Sequence, residues 1–356
     1  MEKIIFYKKL IQESPIVANQ WRETCGNRQD FNDAEKSMRV NATALITQDY
    51  WREVDNVTTR IFRNESGMDM MADLMGIASN IDIGKTVAIS RMASDAGKVA
   101  RSLSGHAPEG LDKTRYSYSG DVIPLFKTGY SREWRELLGM RSEGFEPLLD
   151  DQANTTFNLR KDMAQYLLTG DTTLNVNGVY TAYGINNHPN TVQINLGAAP
   201  GFNIDLQTAT PDEIVTFFNR DFAKILDDQN VFESVDIWVS PAVRRSFSRP
   251  YSNAQGYKAG TIEDYILEFA KTGGNGRIGK IGTNFLLSGN RFVGYVRNEL
   301  YIRPRVGQPV STYAEPRTTP HANYNFLTWS AMGLQIRKDF SGKSKVFNAA
   351  GPQTAL

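Results

Sequence analysis

The chain carries one cysteine, Cys25, in 356 residues. That count excludes a disulfide framework within the chain and a cysteine metal cluster. Cys25 reads as a small residue of an N-terminal segment, because no histidine lies near it in sequence to stabilise a thiolate. Histidine is almost as scarce. His106, His188 and His321 fall in three separate turn-rich segments, without the short or helical spacing of metal ligands. No apolar run is long enough to cross a membrane as a helix. The opening "MEKIIFYKKLIQESP" has a short apolar patch, well below the length of a secretory core, so the cytoplasm of the producing cell is the expected location. An excess of one charge is missing too: 40 basic residues face 39 acidic ones. Sequence-specific nucleic-acid binding normally shows a basic excess. DNA is therefore expected near this chain at most, without being gripped by it.

Catalytic signatures are also lacking. The chain has no G-x-S-x-G, H-E-x-x-H or G-x-G-x-x-G. "IGKTV" resembles half a phosphate loop, but the position five residues before Gly84 is Ser79, and a strand follows where a helix is needed. The aspartate pairs Asp150–Asp151 and Asp227–Asp228 are neighbours in helices and do not face each other. Basic and aromatic residues interleave in "RRSFSRPYS" and "RFVGYVRNELYIRPRV", a mixture that suits single-stranded nucleic acid. Balanced charge favours the plainer reading, packed aromatics with arginines that are solvated or face a neighbouring subunit. No enzyme, cofactor or metal is called for.

The elements that are present alternate irregularly, which marks an α+β chain. Residues 1–43 form a polar arm. Leu45, Tyr50, Val54, Val57 and Ile61 recur at near-helical spacing. "MDMMADLM" is core filling by flexible side chains. "IDIGKTVAIS" and "YSYSGDVIPLFKTGYS" read as two strands, with Tyr116 and Tyr118 on one face. "SREWRELLGMRSEG" is a short helix with Ser131 as its N-cap. A long helix is expected over Phe145 to Leu168, with Leu149, Ala153, Phe157, Ala164 and Leu167 as its apolar stripe and Gly170 as its stop. "VNGVYTAYGINNHPNT" is turn-rich. A helix opens at the capping box of Thr210 and Glu213, with Pro211 first inside it. A buried strand at "VDIWVSPAV", a helix capped by Thr261 and stopped by Gly273, a hairpin turning at Arg297 to Glu299, and one or two strands in "NYNFLTWSAMGLQIRKDF" complete the expectation.

Between the first two strands lies "RMASDAGKVARSLSGHAPEGLDKTRYSYSG", residues 91–120. Unstructured loops of that length are uncommon in compact domains. Between two strands it is the tip of a long hairpin arm, and an isolated hairpin is marginal in water. Such an arm needs a neighbour. Arg91, Lys98, Arg101, Lys113 and Arg115, offset by Asp95, Glu109 and Asp112, suit intersubunit salt links at a wet interface.

This order of elements resembles the major capsid protein of tailed double-stranded DNA bacteriophages, a fold shared with encapsulin shells. "WREVD" at Trp51 to Asp55 is similar to the segment before that family's extended E-loop. "SREWRELLGMRSEGFEPLLDDQA" looks like the entry to its spine helix, and "LLTGD" through "GINNHPN" like the turn after it. The resemblance implies an N-terminal arm over 1–43, a first part of the peripheral P-domain over 44–80 and an E-loop over 81–130. It continues with a P-domain and spine helix over 131–172, an axial A-domain over 173–308, and closing P-domain strands over 309–356. It further implies pentamers and hexamers of an icosahedral shell around double-stranded DNA, in a virion assembled in the host cytoplasm. A separate scaffolding protein, a portal and a decoration protein are the partners of such a shell, and no membrane is. The alternative is an encapsulin-type compartment, whose chains are generally shorter. Intersubunit contacts are expected at Arg91, Lys98, Arg101, Glu109, Asp112, Lys113 and Arg115.

Overall fold

The computed structural model describes residues 67–96, 101, 103, 113–142, 146–251, 260–271 and 277–351. The arm, Cys25, the helix expected from Leu45 to Ile61, His106 and Gly273 lie outside them.

The described chain opens with helix α1 (Met68–Met75) and strand β1 (Ser79–Asn80). β2 (Val87–Ala93), β3 (Tyr116–Val122) and β4 (Leu125–Arg132) precede helices α2 (Trp134–Ser142) and α3 (Pro147–Thr169). Next come β5 (Gly170–Val176), β6 (Tyr180–Tyr183) and β7 (Val192–Asn195). A helical run, α4, joins Pro211–Thr216, a π-helical turn at Phe217–Phe222, and Ala223–Asp228. β8 (Val235–Val239), α5 (Pro241–Phe247), β9 (Pro250–Tyr251), β10 (Gly260–Thr261) and α6 (Ile262–Lys271) follow. Strands β11 (Ile278–Thr283), β12 (Arg291–Tyr295), β13 (Ile302–Ala314), β14 (Tyr324–Ile336) and β15 (Val346–Ala350) close it.

A mixed sheet in the order β11-β8-β12-β15-β7 forms one body. β8 is apolar at nearly every position because both of its faces are covered. Val235, Ile237 and Val239 meet α4, where Phe217, Phe218 and Phe222 pack with Phe247, Phe292 and Phe347. These rings meet edge to face, Phe217–Phe218 at 5.1 Å and Phe218–Phe247 at 5.6 Å between centroids, the arrangement that aromatic quadrupoles favour. Trp238, Val293 and Tyr295 face the other way, into a second core with α1, α3 and the strands β13 and β14. There Trp238 Nε1 donates to Tyr295 Oη at 2.8 Å, and Tyr295 Oη donates to Asp73 Oδ2 of α1 at 2.8 Å. Burial, then the Asp73 charge, pushes the Tyr295 hydroxyl far above its usual range, so it stays a donor. The methionine-rich α1 fills this core as expected, with Met70 and Leu74 fully buried.

The capping box of α4 forms as its sequence predicts: Glu213 N–H donates to Thr210 Oγ1, and Thr210 N–H donates to Glu213 Oε2 at 2.8 Å. Thr261 caps α6 in the same reciprocal way with Asp264. Helix α3 begins two residues later than expected, at Pro147, which suits a first turn because its missing N–H would have no partner there. It ends at Gly170, whose φ of 63° and close approach to the Tyr183 and Gly184 backbone leave no room for a side chain.

Four local expectations are corrected. The stretch 289–306 is no hairpin. β12 already has β8 on one edge and β15 on the other, so β13 cannot pair with it and joins β14 instead. Ser131 is no N-cap, because β4 runs on through Arg132 and Ser131 Oγ donates to Asn325 Oδ1 at 2.7 Å. The apolar stripe of α3 holds only in its second half: Leu159, Met163, Ala164 and Leu167 are buried, whereas Leu149 is 64% exposed. The segment after α3 is turn-rich as expected only over 184–191; its first part completes the β5–β6 hairpin, turning at Asn177–Gly178 with φ of 56° and 69°. That is the Asn-Gly pair a tight hairpin prefers.

Candidate functional site

β2 and β3 form an antiparallel two-stranded sheet of their own. Its register pairs Ile89 with Gly120, Arg91 with Tyr118 and Ala93 with Tyr116. Directly paired residues share a face, so the two faces differ sharply. One carries Ala88, Ser90 and Asp121, which are buried against the body. The other presents Ile89, Tyr116 and Tyr118, each more than half exposed. The Arg91 guanidinium lies 5.0 Å from the Tyr116 ring centre, a cation–π contact that stiffens this outer face.

The foot of the hairpin is polar and specific. Asp121 Oδ1 lies 2.9 Å from His188 Nε2, and both residues are buried. Asn190 N–H donates to His188 Nδ1 at 3.0 Å. With Nδ1 accepting, the proton of a neutral ring sits on Nε2 and points to Asp121. The turn histidine is thus a hydrogen-bonded histidine, as its sequence setting predicts, and it ties β3 to the segment after α3. No local pattern joins Asp121 to a residue 67 positions away, so this pair was not legible in sequence.

The expected contact residues distribute as follows. Arg91 lies within β2 and belongs to a strand, not to the tip. Arg115 sits at the mouth, where Ser94 N–H donates to its carbonyl and its own N–H donates to Ser94 Oγ, both at 2.8 Å. Lys113 and Arg101 are exposed. Lys98, Glu109 and Asp112 lie outside the described residues.

Other candidates resolve into structural roles. The "GKT" run is a turn in which Asp82 Oδ1 accepts the Gly84 N–H at 2.9 Å, so that amide is not offered to a phosphate. Arg244 pairs with Glu263 at 2.5 Å, and Arg249 donates to the Ala209 carbonyl at 2.6 Å. Asp151 of the early aspartate pair takes a two-pronged ion pair from Arg132 at 2.5 and 2.9 Å, fixing α3 to β4. Among the described residues no group of three or more metal-ligating side chains converges, and no helix is long and apolar enough to cross a membrane.

The hairpin, the long helix, the five-stranded lobe and the closing strands together match the fold of solved shell proteins. The chain is similar to the capsid of Myoviridae phage XM1, with a TM-score of 0.59 and 13% identity over 85% of this chain and 97% of that one. A structure from Mycobacterium phage Bobi matches at 0.56 and 12%, over 85% and 96% of the two chains. A virus-like particle from Pyrococcus furiosus matches at 0.52 and 12%, over 80% and 94%. The fold is that of phage major capsid proteins, as the sequence resemblance implies. Within it, the chain belongs to a family of unknown function, DUF6260, whose model matches residues 41–349. No curated protein matches the chain.

Proposed function

We propose that this chain is a structural major capsid protein, building pentamers and hexamers of an icosahedral shell around double-stranded DNA. The observation that carries the reading is the β2–β3 hairpin. On a capsid fold, it holds Ile89, Tyr116 and Tyr118 away from the subunit's own core. Large apolar groups held out in one patch belong against a partner. In a ring or shell that partner is a different surface of the next copy, a heterologous contact that closes by rotation. Arg91, Arg115 and the charged residues of the tip would then rim the apolar contact with salt links. On this reading residues 81–130 are the E-loop, 131–172 the P-domain with its spine helix, and 173–308 the A-domain. The arm over 1–43, the P-domain parts 44–80 and 309–356, a scaffolding protein, a portal, a decoration protein and assembly in the host cytoplasm belong to the same proposal.

Expression of the chain followed by sedimentation and negative-stain microscopy tests it. Closed shells or capsomer rings are expected; a monomer that turns over nucleotide overturns it. The likeness to the Pyrococcus furiosus particle favours one second reading, a compartment that encloses protein. The contents of purified particles, nuclease-sensitive DNA or an enzyme, separate the two.

A further inference from the structure

Beneath the hairpin foot, three arginines converge on one neutral group. Arg303 and Arg305 of β13 and Arg337, just past β14, all donate to the same amide oxygen, Gln335 Oε1, at 3.1, 3.2 and 3.3 Å. Gln335 is fully buried, and its Nε2 points to the Ala88 carbonyl of β2 at 3.4 Å. An amide oxygen has two lone pairs and no charge, so this arrangement gathers cations without neutralising them. Burial and mutual repulsion hold the Arg303 and Arg305 guanidinium groups below their usual range. Glu299 and Asp121 are the acids whose charges favour them, but neither forms an ion pair with them; Asp121 Oδ1 meets His188, and its Oδ2 has no hydrogen-bond partner. Arg337 Nε is buried with no hydrogen-bond partner.

Arg337 also opens into a cleft of about 260 Å³. Ser90 and Arg91 of β2 form one wall, and Lys338, Lys343 and Lys345 of the turn after β14 form the other. Lys345 is neutralised by Glu233 at 2.6 Å. Asp339, the acid of the lining, accepts the Lys343 backbone N–H at 2.7 Å. Among the described residues, Arg91, Arg337, Lys338 and Lys343 form no ion pair.

We propose that this cleft receives a carboxylate from a segment of a second copy of the chain, inserted between β2 and the turn after β14. The inference rests on the shell reading and names the chemistry of one of its contacts. Three observations select this occupant. The guanidinium groups that line the cleft, half-buried Arg337 and exposed Arg91, form no ion pair among the described residues and call for an oxyanion, and a carboxylate matches their fork. A volume of about 260 Å³ holds a side chain or two, not a nucleic-acid duplex. The chain is nearly neutral, with 40 basic and 39 acidic residues, so a cationic cleft leaves acidic surface elsewhere on the same molecule to complement it. Arg91 belongs to both this cleft and the outer hairpin face, so a neighbour laid on Tyr116 and Tyr118 reaches the mouth.

The test is zero-length amine–carboxylate cross-linking of full-length particles assembled from mixed light and heavy-isotope chains, read by mass spectrometry. The proposal expects light–heavy links from Lys338 or Lys343 to an Asp or Glu in assembled particles, absent from free subunits. Lys343→Glu and Arg337→Glu should raise the concentration needed for assembly by about tenfold or more, and Arg337→Lys, which keeps the charge but loses the fork, should fall between these variants and the parent chain. Particles that form with only same-chain links at these lysines overturn the inference and leave the shell reading intact. So do particles whose assembly depends on added inorganic phosphate or on DNA at this cleft. Failure of the unmodified chain to form particles under any condition overturns the shell reading, and this inference with it.

Discussion

β8 and β12 of the five-stranded sheet are covered on both faces by the subunit's own side chains, whereas β2–β3 is covered on one beyond its foot, where Tyr180 and buried Val122 close the other face. Both regions use β-branched and aromatic residues. In the lobe, six phenylalanines turn toward one another and the region completes itself. In the hairpin, Ile89, Tyr116 and Tyr118 turn outward. On the proposed reading the difference locates function: the lobe uses its aromatics for its own stability, and the hairpin keeps them for contact. It also separates two kinds of mutation, those that unfold the subunit and those that leave it folded but solitary.

Phe218→Ala should have the largest effect. It opens a cavity among fully buried rings and should cost about 3–5 kcal/mol in denaturant unfolding of the subunit. Particles should fail only as fast as the fold does. A loss below about 1 kcal/mol would mean the lobe is not self-sufficient, and the comparison would break there.

Asp121→Ala sits on the border between the two regions. It leaves the buried His188 Nε2–H unpaired and should cost about 1–3 kcal/mol. Proteolysis should then reach the hairpin before the lobe. Equal protection of both would show that the Asp121–His188 pair is not the hairpin's footing.

Thr210→Ala removes the α4 cap in the lobe and should cost about 1 kcal/mol at neutral pH. The Thr210 backbone N–H and hydroxyl hold the Glu213 carboxyl below its usual value of 4.5. A carboxylate depressed in the folded state contributes above its unfolded pKa and loses that contribution as pH falls through the lower folded value. The difference in melting temperature between parent and variant should therefore shrink in acid. A difference that grows in acid would contradict the reciprocal cap.

Tyr116→Ser with Tyr118→Ser should have the smallest effect on the free subunit, within about 0.5 kcal/mol, because both rings are exposed. Sedimentation should nevertheless show particles lost. Unchanged assembly would remove the outer face from the account.

Much of this contrast was legible before the fold. Thr210, Pro211 and Glu213 announced their helix because capping is local chemistry. The alternation of Tyr116 and Tyr118 with serines announced a two-faced strand, and the apolar runs on either side of the polar stretch announced the strands that pair as β2 and β3. What sequence could not supply was long-range. β12 looks like half a hairpin until β8 and β15 occupy both its edges. Leu149 fits an apolar stripe that its own chain leaves bare. Asp121–His188 and the meeting of Arg303 and Arg305 with Gln335 join residues far apart in sequence, and periodicity carries no information about such meetings. The Asn177–Gly178 turn is different: its signal was present and local, and it was absorbed into a generally turn-rich segment.

The most direct measurement is a cryo-electron microscopy reconstruction of particles formed by the purified full-length chain. The account predicts a closed shell in which Ile89, Tyr116 and Tyr118 lie against a second copy, with charged residues of the hairpin at the rim of that contact. A chain that stays monomeric, or a shell in which that face points to solvent, would contradict it.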